Sequence, residues 1–143
     1  MTAYFDSAYL AKCYLQDPDS GKVRKMVQRV EAICSSALSI AEVSCALHRA
    51  IREKAATRDE AAHLRATFLE DVSSGVLLLI PVSEDILRTV ETVVSKLPTT
   101  MFLRAGDAIH LASAQVEGFS EIWSNDRHML RAASHFGVVG RSV

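Results

Sequence analysis

The first ten residues read Met1-Thr2-Ala3-Tyr4-Phe5-Asp6-Ser7-Ala8-Tyr9-Leu10. A run of residues that favour β-structure ends abruptly at a carboxylate, and a helix-favouring segment follows at once and extends to about Gln16. This order predicts a strand, then Asp6, then a helix. In an open parallel sheet the ligand crevice lies beyond the carboxyl ends of the strands, so an acid at this place points towards a ligand. The alternative is that Asp6 or Ser7 only caps the helix, and this stretch alone leaves both roles open.

The length and composition are those of one globular domain. The chain has 143 residues, of which 49% are hydrophobic and 23% charged, so we expect a single domain over residues 1–143 with its own core. The net charge of -1 creates no global positive field, and any nucleic-acid site must therefore be local. Cys13, Cys34 and Cys45 have neither zinc-site nor disulfide spacing. Because no apolar run approaches the ~20 residues of a membrane span, we expect no membrane association and a cytoplasmic location.

Strand and helix signals alternate along the rest of the chain. Further strands are predicted at 32–35, 76–80, 121–124 and 136–139. Helices are predicted around 23–30, from Ser39 to about Lys54, from Thr57 to Ser73, from Ser83 to about Leu97, over 103–114, and from Asn125 through Ala133. Two of these helices begin with a Ser or Thr followed three residues later by Glu, which predicts a capping box at Ser39 and at Thr57. This alternation predicts an α/β three-layer domain with a mainly parallel sheet of four to five strands flanked by helices.

Four acids occupy equivalent places in this pattern. Asp6 follows strand one, Glu42 lies in the first turn of the helix after strand two, Asp107 lies near the start of an Ala-rich helix, and Asp126 follows strand four. If strand one is central, all four converge on one end of the sheet. Such carboxylates repel one another unless a cation lies among them, and oxygen ligands of this kind select Mg²⁺ or Mn²⁺. The predicted chemistry is that of a metal-assisted nuclease.

Each acid also has a structural explanation. The capping box accounts for Glu42, and Asp126 can cap a helix or favour its N-terminus through the helix dipole. Asp107 lies among small apolar residues, where Asp is a poor helix former, so a functional role is favoured there. His110 is interpreted as a packed helix residue rather than a metal ligand.

Each of the positively charged and aromatic residues near these acids has two possible roles. Arg104, one turn before Asp107, can contact a substrate phosphate or be a solvated surface side chain. Arg127, His128 and Arg131 can line an RNA groove, although a charged helix face is the usual explanation. Trp123 lies in an apolar strand and is interpreted as a core residue rather than a base-stacking platform.

The order of these motifs resembles a known family. The motifs are Tyr4-Phe5-Asp6-Ser7 with Leu10 and Lys12, then Ser39 to Glu42, then Asp107-Ala108-Ile109-His110-Leu111-Ala112, then Ser124-Asn125-Asp126. They resemble the acidic motifs of PIN-domain ribonucleases, and in particular the VapC-type toxins of toxin–antitoxin pairs. The chain departs from the family pattern at Ala8, where a second small polar residue is common, and at Tyr9, where a small apolar residue is usual.

The resemblance has specific implications. It implies strand order 3-2-1-4-5, an Mg²⁺ or Mn²⁺ cofactor, RNA as substrate, a small antitoxin as partner and a homodimer. The metal-binding and catalytic residues that it implies are Asp6, Glu42, Asp107 and Asp126, with Ser7, Ser124 and Arg104 as supporting or substrate-contacting neighbours. The antitoxin segment is expected to cross the acidic crevice and to rest on a helix near it, either 23–30 or 40–51.

Other classes of protein fit the sequence less well. A receiver domain normally has two adjacent acids after strand one and an acceptor Asp after strand three, but here Ile80-Pro81-Val82 supplies none. A haloacid-dehalogenase-like phosphatase needs a second Asp at the position of Ala8. An RNA-processing nuclease outside a toxin pair and a non-catalytic relative that only binds a partner stay open.

Overall fold

All 143 residues are described by a computed structural model, which shows an α/β fold of five parallel strands and seven α-helices. The elements are β1 Thr2–Tyr4, α1 Ser7–Ala11, α2 Ser20–Val27, β2 Ala32–Ser36, α3 Ser39–Arg52, α4 Arg58–Ser73, β3 Leu77–Ile80, α5 Glu84–Val94, α6 Ala105–Val116, β4 Glu121–Trp123, α7 Arg127–Ala132 and β5 Val139–Arg141, with one 3₁₀ turn over Ala133–Phe136. No helix combines the length and the apolar character that crossing a lipid bilayer requires.

The strands form two parallel sections that meet at the first strand. β2 lies between β1 and β3, and β4 pairs with β5. A single bridge between Phe5 and Trp123 joins the sections, and the Asp6 N–H donates to the Trp123 carbonyl at 3.1 Å. The predicted α/β class is confirmed, and reading across the bridge gives the order 3-2-1-4-5. The two sections meet only at this bridge, and β1 and β4 have three residues each.

The core lies on both faces of this sheet. Ala3 and Phe5 point to one face and pack with residues of α1, α2, α3 and α4, whereas Tyr4 points to the other face and packs with α5, α6 and α7. A parallel sheet covered on both sides needs apolar residues at nearly every strand position, which explains the continuous apolar runs in the sequence. The carboxyl ends of the strands are left free of this packing, and the acids lie there.

Two predicted helix starts have different outcomes. The capping box at Thr57 is present, because the Glu60 N–H donates to Thr57 Oγ1 at 3.1 Å and the Thr57 N–H donates to Glu60 Oε1 at 3.2 Å. The capping box at Ser39 is wrong. Leu38 is the N-cap of α3 without a side-chain cap, and the Ser39 and Glu42 side chains are bonded to other elements instead.

Two further boundaries differ from the predictions. The first helix ends at Ala11 rather than near Gln16, and turns carry the chain onward to Tyr14. The last strand begins at Val139 rather than Phe136, because the 3₁₀ turn extends α7 and Gly137, at a φ of 69°, ends it. A left-handed residue of this kind favours glycine and commonly terminates a helix.

Candidate functional site

Asp6 is the buried centre of the site, with only 3% of its surface exposed. It is the N-cap of α1, where Oδ1 accepts the Tyr9 N–H at 2.7 Å, and Oδ2 accepts the Ser124 hydroxyl at 2.6 Å. Burial raises the pKa of Asp6 to about 6, although the hydrogen bonds from Ser124 and Tyr9 favour the charged form. Asp6 therefore caps the helix and also lies at the end of the strand in the site. The two roles that the sequence left open for it do not exclude each other.

Ser124 connects Asp6 to the fourth acid. Its Oγ donates to Asp6 and accepts the backbone N–H of Asp126 at 2.9 Å. Asp126 is in turn the N-cap of α7, and its Oδ1 accepts the N–H groups of His128 at 2.8 Å and Met129 at 3.0 Å. Backbone donors thus fix this carboxylate on one oxygen and leave Oδ2 directed towards other side chains.

Arg104 bridges Asp107 and Asp126. Its Nε lies 3.5 Å from Asp107 Oδ2 and its Nη2 lies 3.4 Å from Asp126 Oδ2. Burial and the negative charge of Asp126 raise the pKa of Asp107, and the nearby Arg104 offsets this only in part. The Arg104 side chain is 66% exposed, so solvent screens its charge and weakens its effect on the two acids.

Glu42 is held by side chains and not by its own helix. Its Oε1 accepts the Ser7 hydroxyl at 2.8 Å and lies 2.8 Å from His110 Nε2. Burial disfavours the charged carboxylate, but the hydrogen bonds from His110 and Ser7 outweigh it and lower the pKa of Glu42. A Cβ at Gly106 would lie 3.6 Å from Glu42 Oε2, which places this carboxylate against the start of α6.

His110 is a polar contact of the site that the sequence interpretation missed. Its side chain is buried as predicted, but Nδ1 lies 2.9 Å from the Tyr4 hydroxyl and Nε2 lies 2.9 Å from Ser7 Oγ. Since the Glu42 carboxylate only accepts hydrogen bonds, Nε2 carries a proton, and in the neutral ring Nδ1 accepts from Tyr4. A signal was present, because His110 follows Asp107 by three residues and so shares its helix face.

The structure brings all four predicted acids to one end of the sheet. Ser124 links Asp6 with Asp126, and Arg104 links Asp126 with Asp107. Glu42 reaches the same place through Ser7, the residue after Asp6, and through His110. The three predicted supporting residues, Ser7, Ser124 and Arg104, each bond to at least one acid.

The chemistry of this donor set fits a hard divalent cation. The donors are carboxylate oxygens, which are the ligands that Mg²⁺ and Mn²⁺ prefer. Burial raises the pKa of both Asp6 and Asp107, and repulsion from neighbouring acids adds to it, so a cation would relieve the strain of charging them. No three acidic, His or Cys side chains stand close enough in this conformation to form a ready-made ligand cage. Arg104 supplies the positive charge between Asp107 and Asp126 instead.

Comparison with known proteins places this geometry in a family. A family model described as the PIN domain matches residues 3–134, and a search of curated proteins finds no match. Among solved structures, VapBC2 from Rickettsia felis bound to a promoter DNA fragment is 12% identical with a TM-score of 0.70, covering 99% of this chain and 98% of its own. VapC20 from Mycobacterium tuberculosis, a sarcin-ricin loop cleaving toxin, is 15% identical with a TM-score of 0.71, covering 92% and 95%. FitAcB from Neisseria gonorrhoeae is 14% identical with a TM-score of 0.72, covering 98% and 96%.

These structural likenesses show the shared fold, and the family model adds the sequence pattern. Its match spans all four acids as well as Ser7, Ser124 and Arg104. Because the family model matches most of the chain, the chain belongs to the PIN-domain family, which is a family of nucleases.

Proposed function

We propose that this chain is a metal-dependent endoribonuclease and the toxin of a toxin–antitoxin pair. The single observation that carries the nuclease assignment is the group of acids around the buried Asp6, all at the carboxyl end of the sheet. Asp6, Asp107, Glu42 and Asp126 would hold Mg²⁺ or Mn²⁺ by their carboxylates. Such an ion supplies an activated water and neutralises charge on a phosphodiester.

The residues of the chain have separate tasks in this proposal. Ser124 and the Tyr9 N–H orient the Asp6 carboxylate before any ligand arrives. His110 and Ser7 keep Glu42 charged and fix its direction. Arg104, exposed beside Asp107 and Asp126, is placed to meet a phosphate oxygen of RNA.

The toxin assignment has support from the relatives and from a groove. The solved structures of similar fold include VapBC2 and FitAcB, and VapC20 is described as a sarcin-ricin loop cleaving toxin. In this chain a groove of about 870 Å³ runs between α1, α3 and α4. Its floor is apolar and small-sided and its rim is charged, with floor residues Ala8, Ala11, Leu15, Ala46, Ala50 and Leu64 and rim residues Lys12, Arg49, Glu53, Asp59 and Glu60.

Two residues that line the groove are close in sequence to residues of the acid cluster. Ala8 follows Ser7 directly, and Ala46 lies one helical turn after Glu42. An amphipathic antitoxin segment lying in the groove would therefore reach the acids within a turn, where its Arg or Lys could pair with Asp6 or Glu42. The expected resting surface on residues 23–30 is less suitable, because Val23 is fully buried in the core. Ala8, where the family commonly has a small polar residue, contributes an apolar side chain to the groove lining.

The nuclease proposal is tested by cleavage assays. The purified chain should cut RNA with Mg²⁺ or Mn²⁺ and lose this activity in excess chelator. Asp6→Asn and Asp107→Asn should abolish cleavage while the proteins stay folded by circular dichroism. Asp85→Asn, an exposed acid at the start of α5, is the matched control and should cut like the wild type. Undiminished cleavage in chelator, or wild-type turnover of Asp6→Asn, would overturn the proposal.

The toxin proposal is tested in cells. Expression of the chain alone should arrest growth, Asp6→Asn should remove the arrest, and co-expression of the small protein encoded next to it should relieve it. Ala46→Trp should fill the groove and prevent relief while the arrest persists, whereas Cys45→Trp, at the exposed neighbouring position outside the groove, should still be relieved. If the well-expressed wild type is harmless but cleaves RNA, an RNA-processing nuclease is the better assignment. If it neither arrests growth nor cleaves RNA, it is a non-catalytic relative.

Two further parts of the proposal follow the family rather than a contact in the structure. A homodimer is expected, and sedimentation velocity of the purified chain measures it. Action in the cytoplasm is expected too, where an RNA target is available to the enzyme.

A further inference from the structure

A small aromatic pocket lies outside the groove and the acid cluster. Phe102 is 56% exposed, and its ring centroid lies 4.8 Å from that of His128 with the planes tilted by 58°. With Thr100, Met101 and Arg131 these two rings line a pocket of about 270 Å³. Phe102 does little for the core, because more than half of its surface stays in water. An aromatic face left open in this way is available to a ligand.

Phe102 and His128, the two rings that line this aromatic pocket, are each connected to the acid cluster. Phe102 precedes Arg104 by two residues, and Arg104 contacts Asp107 and Asp126. His128 is connected directly, because its backbone N–H donates to Asp126 Oδ1 at 2.8 Å. A ligand in the pocket would therefore lie next to any phosphate bound at the acids.

The charge around the pocket favours an anionic chain. Arg131 lines the pocket, Arg104 follows the lining residue Phe102 by two positions, and no acidic side chain is among the lining residues. The protein as a whole has a net charge of -1, so this positive character is local. An aromatic face beside Arg side chains is the usual combination for single-stranded nucleic acid, because bases stack on the ring and phosphates meet the cations.

We propose that a base of the RNA substrate, in a nucleotide flanking the bond to be cut, stacks on Phe102 in the aromatic pocket while an adjacent phosphate meets Arg131. This proposal rests on the proposed nuclease function and adds the place where the strand is gripped. The His128 ring packs against Phe102 and supports it from the side, and the pocket accepts any base because stacking uses the face and not the edge of the ring.

The test uses binding and cleavage together. The probes are fluorescein-labelled ten-nucleotide oligouridylate and oligoadenylate, with binding measured by fluorescence anisotropy in Ca²⁺ buffer and cleavage measured in Mn²⁺ buffer. Phe102→Ala should weaken binding by roughly 5-fold to 100-fold, the range expected for one lost stacking contact. Phe102→Trp should bind at least as tightly as the wild type. Leu87→Ala removes a side chain of similar exposure on α5, outside the pocket, and should change neither measurement.

Abasic scanning separates stacking from a structural role of Phe102. In a series of oligonucleotides that each lack one base, the position that stacks on Phe102 should lose its sensitivity to Phe102→Ala, and the other positions should keep it. Binding of every oligonucleotide by Phe102→Ala within twofold of the wild type would overturn the inference while leaving the nuclease proposal intact. The inference would also be overturned if Phe102→Ala changed self-association or antitoxin binding but left RNA binding unchanged. A wild type that neither binds nor cuts RNA would overturn both.

Discussion

Replacing Asp6 with Asn should make the metal-free protein more stable at neutral pH. Burial raises the pKa of Asp6 to about 6 from an ordinary value of 3.8, so the folded state holds this proton more tightly than the unfolded state. The difference of roughly 2 units corresponds to about 3 kcal/mol at pH 7, where both states have released the proton. Asn is isosteric and uncharged, so it avoids this cost.

The sign of the pH dependence follows from the raised pKa. The wild type should lose stability as the pH rises from about 4 to above 6, because the unfolded carboxyl ionises first and the folded one must then ionise in a buried place. The raised pKa of Asp107 acts in the same direction, and the lowered pKa of Glu42 acts in the opposite one. The contribution of Asp6 is therefore isolated only by the difference in the free energy of unfolding between the wild type and Asp6→Asn.

The hydrogen bonds around the carboxyl group reduce the expected gain. Tyr9 can still donate to the Asn carbonyl oxygen, but Ser124 must accept from the new amide instead of donating to Oδ2. We therefore expect Asp6→Asn to gain about 1 to 3 kcal/mol at pH 7 and nearly nothing at pH 4.

Urea unfolding in chelator at pH 4, 5, 6, 7 and 8 measures this gain. Asp85→Asn is the control, since it removes one exposed acid without a hydrogen-bonded site and should follow the wild type closely. A variant that is less stable than the wild type at pH 7, or a difference that stays constant from pH 4 to 8, would refute the reasoning.

Further substitutions test the neighbours of the acids and the packing of the last strand. Arg104→Gln should raise Mn²⁺ affinity several-fold by calorimetry, because the side chain that competes for the same carboxylates is gone; a weaker affinity would contradict this. His110→Leu should reduce RNA cleavage at least tenfold, with partial recovery in His110→Gln and no added loss in a Glu42→Gln background, if the ring acts by positioning that acid. Gly140→Ala should destabilise the fold by about 1 to 3 kcal/mol in urea, because its Cβ would lie 2.6 Å from a leucine side chain of α7 and 3.2 Å from that residue's Cα. Gly21→Ala has nothing within 4 Å and is its control, expected to be neutral or stabilising.

The features that could be predicted from the sequence are those with local signals. Strand and helix periods reveal the alternating order, and the turn from a strand into a helix shows where Asp6 and Asp126 must lie. Parallel strands have their carboxyl ends on the same edge, so the convergence of the acids follows from topology without any knowledge of side-chain positions. The family resemblance implies the same four acids that the strand and helix order indicates.

The features that could not be predicted depend on partners far away in the chain. Ser39 and Glu42 have the spacing of a capping box, but Ser7, 32 and 35 residues earlier, bonds to both of them. The contact between Tyr4 and His110 spans 106 residues. Local sequence gives no sign of such pairs, because a hydroxyl or an imidazole ring takes whichever donor or acceptor the fold brings near.

The four acids differ in how firmly they are held, and this difference connects the two predicted roles of Arg104. Asp6 and Asp126 are N-caps whose carboxylates accept backbone N–H groups, so helix geometry holds one oxygen of each in place. Asp107 has no such donor and meets only Arg104, at 3.5 Å and from a largely exposed side chain. If Asp107 and Asp126 hold the proposed cation, it would supply the positive charge that Arg104 otherwise provides to them, and the guanidinium would be available to another anion. In the proposed function Arg104 therefore has two roles: it balances the acids in the metal-free protein, and it is available to a phosphate of the substrate.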